Sequence, residues 1–347
     1  MLRRFYCPEY FINKTNHIKL DNNPSWKNDY INKIIVLYDD NQEAIVNVLD
    51  IQKTQSYVFL RIKEISFDLD SVDNFVFDLD GTLLNKKSML SNEQLQSLNT
   101  LKSLNKKIII STGRPWFTAE NIIKDIPTNL PISFANGSII KHNNEVIKYF
   151  NIHQETGINL YKKLVEWEYD FLVYTPDKIY GYNTNKTDFF INKKYPERIG
   201  NKNYAEGNFS LEINNWIFCK FLVIRRSNDE TKWNELLKYI KKQSQLYGVI
   251  SEEPYLDVMG FNASKGNSLT WLSKEYNLDL NKTICFGDAE NDETMFNVAK
   301  FSGLTSNCFE SVKNKAIFNL GDNDTNWLND FIKKYNKKDQ FNFDLFL

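Results

Sequence analysis

Short apolar runs broken by polar turns dominate residues 1–70. Ile34-Ile35-Val36-Leu37-Tyr38, Ala44-Ile45-Val46-Asn47-Val48-Leu49 and Tyr57-Val58-Phe59-Leu60-Arg61-Ile62 are rich in β-branched and aromatic side chains, and the polar stretches Asp39-Asp40-Asn41-Gln42 and Gln52-Lys53-Thr54-Gln55-Ser56 lie between them. Strands joined by turns of this length predict an antiparallel meander or small barrel. From residue 72 the pattern changes. Val76-Phe77 leads an apolar strand into Asp78-Leu79-Asp80-Gly81-Thr82, and Ser91-Asn92-Glu93-Gln94 then reads as a capping box ahead of Leu95, Leu98, Leu101 and Leu104. Ile108-Ile109-Ile110, a run of the buried parallel type, ends at Ser111-Thr112-Gly113-Arg114-Pro115. Strand, helix and strand make a βαβ unit and predict a doubly wound α/β core.

A second strand of this kind, Thr283-Ile284-Cys285-Phe286, runs into Gly287-Asp288 and precedes a helical pattern through Met295, Phe296 and Val298. Residues 149–256, between the two halves, mix strand-like runs (Phe171 to Tyr174, Phe218 to Ile224) with a helix-like run from Trp233 to Ile240, the signature of an α+β insertion. The expected organisation is a β-rich front module over 1–70, a core written as 71–148 and 257–335, an insertion over 149–256 and a tail over 336–347. Length agrees, since 347 residues correspond to about 2.3 domains at roughly 150 each.

Charge narrows the partners. Lys plus Arg (43) against Asp plus Glu (44) leaves −1, so no global field attracts nucleic acid, and the front module is equally balanced. Nucleic acid is not an expected partner. The four cysteines are far apart and form no CxxC pair, which fits a reducing compartment rather than a disulfide framework or zinc site. No run resembles a signal peptide or approaches a membrane span, so a soluble, cytoplasmic protein without membrane contact is expected. His17, His142 and His153 have no partners at ligand spacing, and Asp68 and Asp70 read as a linker or strand end. Lys193, Lys194, Arg198 and Lys202, among Phe190, Tyr195 and Tyr204, read as a solvated basic face; the alternative is contact with a second anionic group on a substrate. The apolar end Phe341-Asn342-Phe343-Asp344-Leu345-Phe346-Leu347 predicts docking on the front module or on a second copy of the chain, and a homo-oligomer through the front module or this tail is one of the arrangements open to it.

Chemistry is sought at the carboxyl ends of the core strands, where open α/β sheets bind ligands. Four such places carry polar groups: Asp78 and Asp80 before Gly81-Thr82; Thr112 with Gly113; Lys265 opening the helical run Gly266 to Tyr276; and Asp288 with Asn291 and Asp292. Carboxylate oxygens in this number suit Mg²⁺, and a lysine beside them offsets the charge of an approaching phosphate. One Asp can act as nucleophile while the other serves as acid and then base.

These residues resemble the haloacid dehalogenase superfamily of aspartate-nucleophile phosphatases, in its Cof-type subclass IIB, sugar-phosphatase-like branch. The four motifs stand in order as Phe77-Asp78-Leu79-Asp80-Gly81-Thr82, Ser111-Thr112-Gly113-Arg114-Pro115, Ala263-Ser264-Lys265-Gly266 and Gly287-Asp288-Ala289-Glu290-Asn291-Asp292, and Asn136-Gly137 is similar to the Asn-Gly after the third core strand of that branch. The resemblance covers roughly residues 72–335. The long interval between Thr112 and Lys265 places the insertion, as a cap, after the second motif. The implied fold is a Rossmann-like core with an inserted α+β cap and the extra front module. The resemblance implies Asp78 as nucleophile and Mg²⁺ ligand, Asp80 as acid/base with its carbonyl on the metal, and Thr112 and Lys265 on the phosphoryl group. It further implies Asp288 as metal ligand, Gly113, Arg114, Asn136, Gly137 and Asn291 around the substrate phosphate, and Asp292 in the outer shell of the metal. The activity implied is Mg²⁺-dependent hydrolysis of small phosphorylated metabolites through an aspartyl-phosphate. A phosphomutase or phosphotransferase on the same fold, and a non-catalytic binding protein working through the front module, are the alternatives.

Overall fold

In the computed structural model, residues 4–7, 17–21, 30, 33–183, 199, 202–225, 230–252 and 254–336 are described. The stretch around Lys193, Lys194 and Arg198 and the apolar end from Phe341 lie outside the described residues; Lys202 is exposed, and buried Tyr204 donates its hydroxyl to Glu206 at 2.9 Å. The chain forms two compact units, Met1–Ile108 with Tyr276–Asp288 and Met295–Leu347, and Ile109–Glu275 with Ala289–Thr294.

The first unit holds two sheets. The three predicted front strands are Ile34–Tyr38, Glu43–Lys53 and Tyr57–Glu64, an antiparallel meander with a bulge between Val48 and Asp50. His17–Asp21 adds antiparallel to one edge and Arg4–Tyr6 parallel to the other, the latter a pairing that no local signal announces. Alternate side chains of the meander, including Ile35, Leu37, Val46, Val48, Val58, Leu60 and Ile62, bury a core of their own. The module is tied down. Arg4, itself buried, donates to the Ile317 carbonyl at 2.6 Å and pairs with Glu43, while Phe67, just past the last front strand, meets the rings of Phe301, Phe318, Phe331 and Tyr335 at 4.7 to 5.8 Å.

The core sheet runs Phe318–Asn319, Phe301–Leu304, Thr283–Gly287, Asn74–Phe77, Lys107–Ile110. The central pairs are parallel, as a doubly wound sheet requires. Phe75, Phe77 and Phe286 stack across them beneath Trp327, on the helix Trp327–Tyr335. The predicted capped helix is Asn92–Ser103, and Ser91 accepts from the Gln94 amide at 3.1 Å. The Gln94 side chain does not return to the cap: it is buried and donates to the Thr325 carbonyl, and Gln94 and Ser97 join Leu98 and Leu101 on the buried face in place of Leu95 and Leu104. Asp68 caps a short turn at Leu69–Ser71, in keeping with a linker.

The second unit contains a three-stranded hairpin sheet, Glu145–Tyr149, Ile139–His142, Ile132–Phe134, and a six-stranded sheet in the order Tyr204–Glu206, Ile179–Tyr182, Phe171–Tyr174, Lys220–Ile224, Tyr255–Gly260, Leu246–Glu252. The helices Gln154–Glu166 and Glu230–Lys242 place Leu160, Tyr161, Leu164, Trp233, Leu236 and Ile240 in one core with the apolar side chains of this sheet. Among the described residues no helix is long and apolar enough to cross a membrane.

Candidate active site

In the first unit, two acidic residues end neighbouring parallel strands. Asp78 follows Asn74–Phe77 and Asp288 follows Thr283–Gly287; the Asp78 amide donates to the Phe286 carbonyl at 3.0 Å, which keeps the strand tips level. Both side chains are buried, and an oxygen of each lies within 4.8 Å of the other. Two carboxylates this close in a desolvated place repel unless a cation or proton offsets them. The all-oxygen donor set suits a hard divalent cation, so the residues present fit the metal that the motifs imply.

The turn between these acids is built for close approach. Gly81 has φ +74°, and a Cβ added there would come 2.2 Å from Asp288 Oδ2, so glycine is required both by the backbone and by the carboxylate. Thr82 donates to Asp288 Oδ1 at 3.0 Å. The Gly81 carbonyl accepts from Thr305 (3.0 Å) and Asn307 (2.8 Å), which fixes the turn carrying Asp80. Asp80 itself is exposed, with extended backbone. Burial pushes the nearby Cys308 thiol up, and the charge of Asp288 adds to the effect.

In the second unit, Thr112 and Asn136 belong to two turns laced together. Thr112 N donates to Ser133 O, Ala135 N to Arg114 O and Asn136 N to Thr112 O at 2.9 to 3.0 Å, and Arg114 N donates to the Thr112 hydroxyl at 3.1 Å. Ala135 and Asn136 hold positive φ (50° and 56°), a strained pair of the kind that clusters at functional sites. Gly137 follows at a point where an added Cβ would lie 2.2 Å from the Ser264 carbonyl. That contact sets the Asn-Gly turn directly against the start of the helix Lys265–Glu275. Lys265 is fully buried and pairs with Asp292 at 2.6 Å, while the other oxygen of Asp292 accepts from the Ala289 amide at 3.0 Å. A lysine read from sequence alone would be expected in water; here burial forces it to have a partner. Asn291 donates to Asn136 Oδ1 at 3.0 Å, and among the described residues its own Oδ1 has no hydrogen-bond partner. The Arg114 guanidinium reaches back to the Thr118 carbonyl at 3.4 Å.

The first unit thus brings Asp78, Asp80 and Asp288 to one end of its sheet. The second brings Thr112, Gly113, Asn136, Gly137, Lys265, Asn291 and Asp292 into one hydrogen-bonded neighbourhood. Sequence reasoning passed over Thr82, Thr305 and Asn307, whose roles depend on a partner more than 200 positions away. It also passed over Lys220 and Asp257, two charges within otherwise apolar strands, and that mismatch was the available signal.

The family described as haloacid dehalogenase-like hydrolase matches residues 75–332. The chain is 26% identical over 273 residues to the Bacillus subtilis protein named 5-amino-6-(5-phospho-D-ribitylamino)uracil phosphatase YwtE, covering 74% of this chain and 95% of that one. A haloacid dehalogenase-like hydrolase structure from B. subtilis aligns with TM-score 0.66 at 24% identity, over 76% of this chain and 99% of the other. The structure of a subclass IIB sugar phosphatase aligns with TM-score 0.66 at 18% identity, over 76% and 99%. At these identities the structural likenesses speak for the fold.

Proposed function

The chain belongs to the haloacid dehalogenase-like hydrolases and is a phosphatase, a hydrolase of phosphoric monoesters; on that footing we propose that it is Mg²⁺-dependent and acts on a small phosphorylated metabolite through an aspartyl-phosphate on Asp78. The observation that carries this reading is the buried Asp78 and Asp288 pair at adjacent strand tips. Asp78 and Asp288, with the Asp80 carbonyl, would hold the ion, and Asp292 would support it from outside. When bound, a divalent cation offsets the charge of the phosphoryl oxygens and of the carboxylates.

A carboxylate oxygen of Asp78 forms the bond to phosphorus as the bond to the ester oxygen breaks, and Asp80 gives its proton to that departing oxygen. Water then forms a new bond to phosphorus, its proton passes to Asp80, and the bond to Asp78 breaks to return the carboxylate. Thr112, Gly113 and Lys265 bind the phosphoryl oxygens, with Arg114, Asn136, Gly137 and Asn291 around them. Asp292, paired with Lys265, holds the ammonium in one position. Residues 149–256 act as the cap that selects the substrate and excludes water. The wide spacing of the four cysteines along the sequence, with no CxxC motif, supports a reducing, cytoplasmic setting. Because two B. subtilis relatives are named 5-amino-6-(5-phospho-D-ribitylamino)uracil phosphatases, phosphorylated polyols belong early in a substrate panel.

The test is hydrolysis of an aryl phosphomonoester with Mg²⁺ by the wild type and Asp78→Asn. Turnover in the wild type and none in the variant is the expected result. A variant that keeps the wild-type rate would remove Asp78 as nucleophile.

A further inference from the structure

Lys220 and Asp257 have no part in the chemistry above, yet both are almost completely buried, at 4% and 2% exposure. They lie on adjacent antiparallel strands of the six-stranded sheet, where Lys220 is opposite Met259 and Leu222 opposite Asp257, so the two charges are diagonal neighbours on one face. Lys220 Nζ is 2.9 Å from Asp257 Oδ1 and 4.6 Å from the centre of the Tyr174 ring. What decides their meaning is where the outer ends lead. Lys220 Nζ donates to the Gly113 carbonyl at 3.3 Å, and Asp257 Oδ2 accepts from Asn136 Nδ2 at 2.8 Å. Asn136 Oδ1 in turn accepts from Asn291 Nδ2 at 3.0 Å.

We propose that Lys220 and Asp257 are positioning residues that hold the phosphate-binding turn at Thr112-Gly113 and the amides of Asn136 and Asn291 in one working arrangement. The inference rests on the phosphatase reading. An ionised carboxylate can only accept hydrogen bonds, so Asp257 obliges Asn136 to turn its NH₂ toward it. Asn136 must then offer its oxygen to Asn291, and one of the two possible orientations of each amide is selected. The ammonium of Lys220 meanwhile fixes the carbonyl direction of Gly113, and with it the neighbouring peptide groups of the turn. Stability alone does not call for such a pair, because replacing a buried ion pair by apolar residues is often neutral, whereas removing one partner leaves a buried charge uncompensated.

That asymmetry supplies the experiment. Asp257→Asn, Lys220→Met and the double variant Lys220→Met/Asp257→Leu are compared with wild type by thermal melting, by kcat and KM on an aryl phosphomonoester, and by inhibition with inorganic phosphate. The single variants are expected to melt lower and to lose kcat/KM. The double variant should recover the melting temperature while kcat/KM stays down by about tenfold to a hundredfold, the scale of a misplaced binding group, and inorganic phosphate inhibits more weakly. A double variant that recovers melting, kcat/KM and phosphate inhibition together would make the pair purely structural. Should the double variant not fold, the near-isosteric Asp257→Asn decides: wild-type kcat/KM and phosphate inhibition in it would overturn the proposal. Wild-type protein that neither hydrolyses the ester nor binds inorganic phosphate would overturn the phosphatase reading and this inference together, whereas an active wild type with unaffected variants overturns this inference alone.

Discussion

Gly81→Ala tests whether the turn between Asp78 and Asp288 is as tight as its geometry implies. An alanine Cβ would start 2.2 Å from Asp288 Oδ2, and real Cβ contacts do not fall below 3.0 Å, so the carboxylate must retreat by at least 0.8 Å or the turn must open by as much. The residue would also sit at φ +74°, which costs an L-residue roughly 1–2 kcal/mol. Opening the turn strains the two hydrogen bonds that Thr305 and Asn307 make to the Gly81 carbonyl, worth about 1 kcal/mol each. A displacement near 1 Å at a reacting centre can cost about a hundredfold in rate, or roughly 2.7 kcal/mol. Because Asp288 is the proposed metal ligand, more Mg²⁺ should be needed for half-maximal activity. Melting followed by circular dichroism and a Mg²⁺ titration of kcat/KM provide the measurement. A variant whose melting temperature, kcat/KM and Mg²⁺ requirement all match wild type would show that the turn tolerates a side chain and that Asp288 is not held as described.

Lys265→Met leaves the Asp292 carboxylate buried without its partner and should cost about 3–5 kcal/mol in denaturant unfolding, with phosphate binding lost as well. Chelation of divalent metal should abolish hydrolysis and lower the melting temperature, and Mg²⁺ at about a hundred times its Kd should restore roughly 2.7 kcal/mol of stability. Burial pushes the Cys219 thiol far above its ordinary range, so native protein at pH 8 should resist alkylation there while denatured protein reacts. The folded state holds that proton more tightly than the unfolded state. Stability from this group is therefore complete below the unfolded thiol pKa of about 8.5 and declines above it by about 1.4 kcal/mol per pH unit, which Cys219→Ser should remove from the alkaline limb of a stability profile.

What the chain reveals of itself depends on range. Strand tips, the Ser91 cap and the glycine after Asp80 are local signals, set by periodicity and by backbone demands within a few residues, and Asn74–Phe77, Thr283–Gly287 and the helix Asn92–Ser103 follow them. The pairing of Arg4–Tyr6 beside Ile34–Tyr38 is not local, and neither is the burial of Gln94, which owes its place to Thr325. In the site, the identity of each polar group is legible because the motifs are contiguous. The partnership of Asn136 with Asp257, 121 positions apart, arises only when one sheet face meets a distant turn, and an apolar run such as Phe218 to Ile224 disguises the charge it contains. Lys265 is intermediate: its position is apparent from the motif, but its isolation from water depends on packing around Asp292.

The cluster around Phe67 has a bearing on how the chain is made. The front sheet has a buried cluster of its own, but the rings that clasp Phe67 belong to residues 301–335 and the carbonyl that receives Arg4 to Ile317. During vectorial synthesis those partners emerge only after more than two hundred further residues have been translated. A chain that ends before residue 301 lacks every ring that covers Phe67, so the closing of the first unit waits on the last part of the sequence to be made.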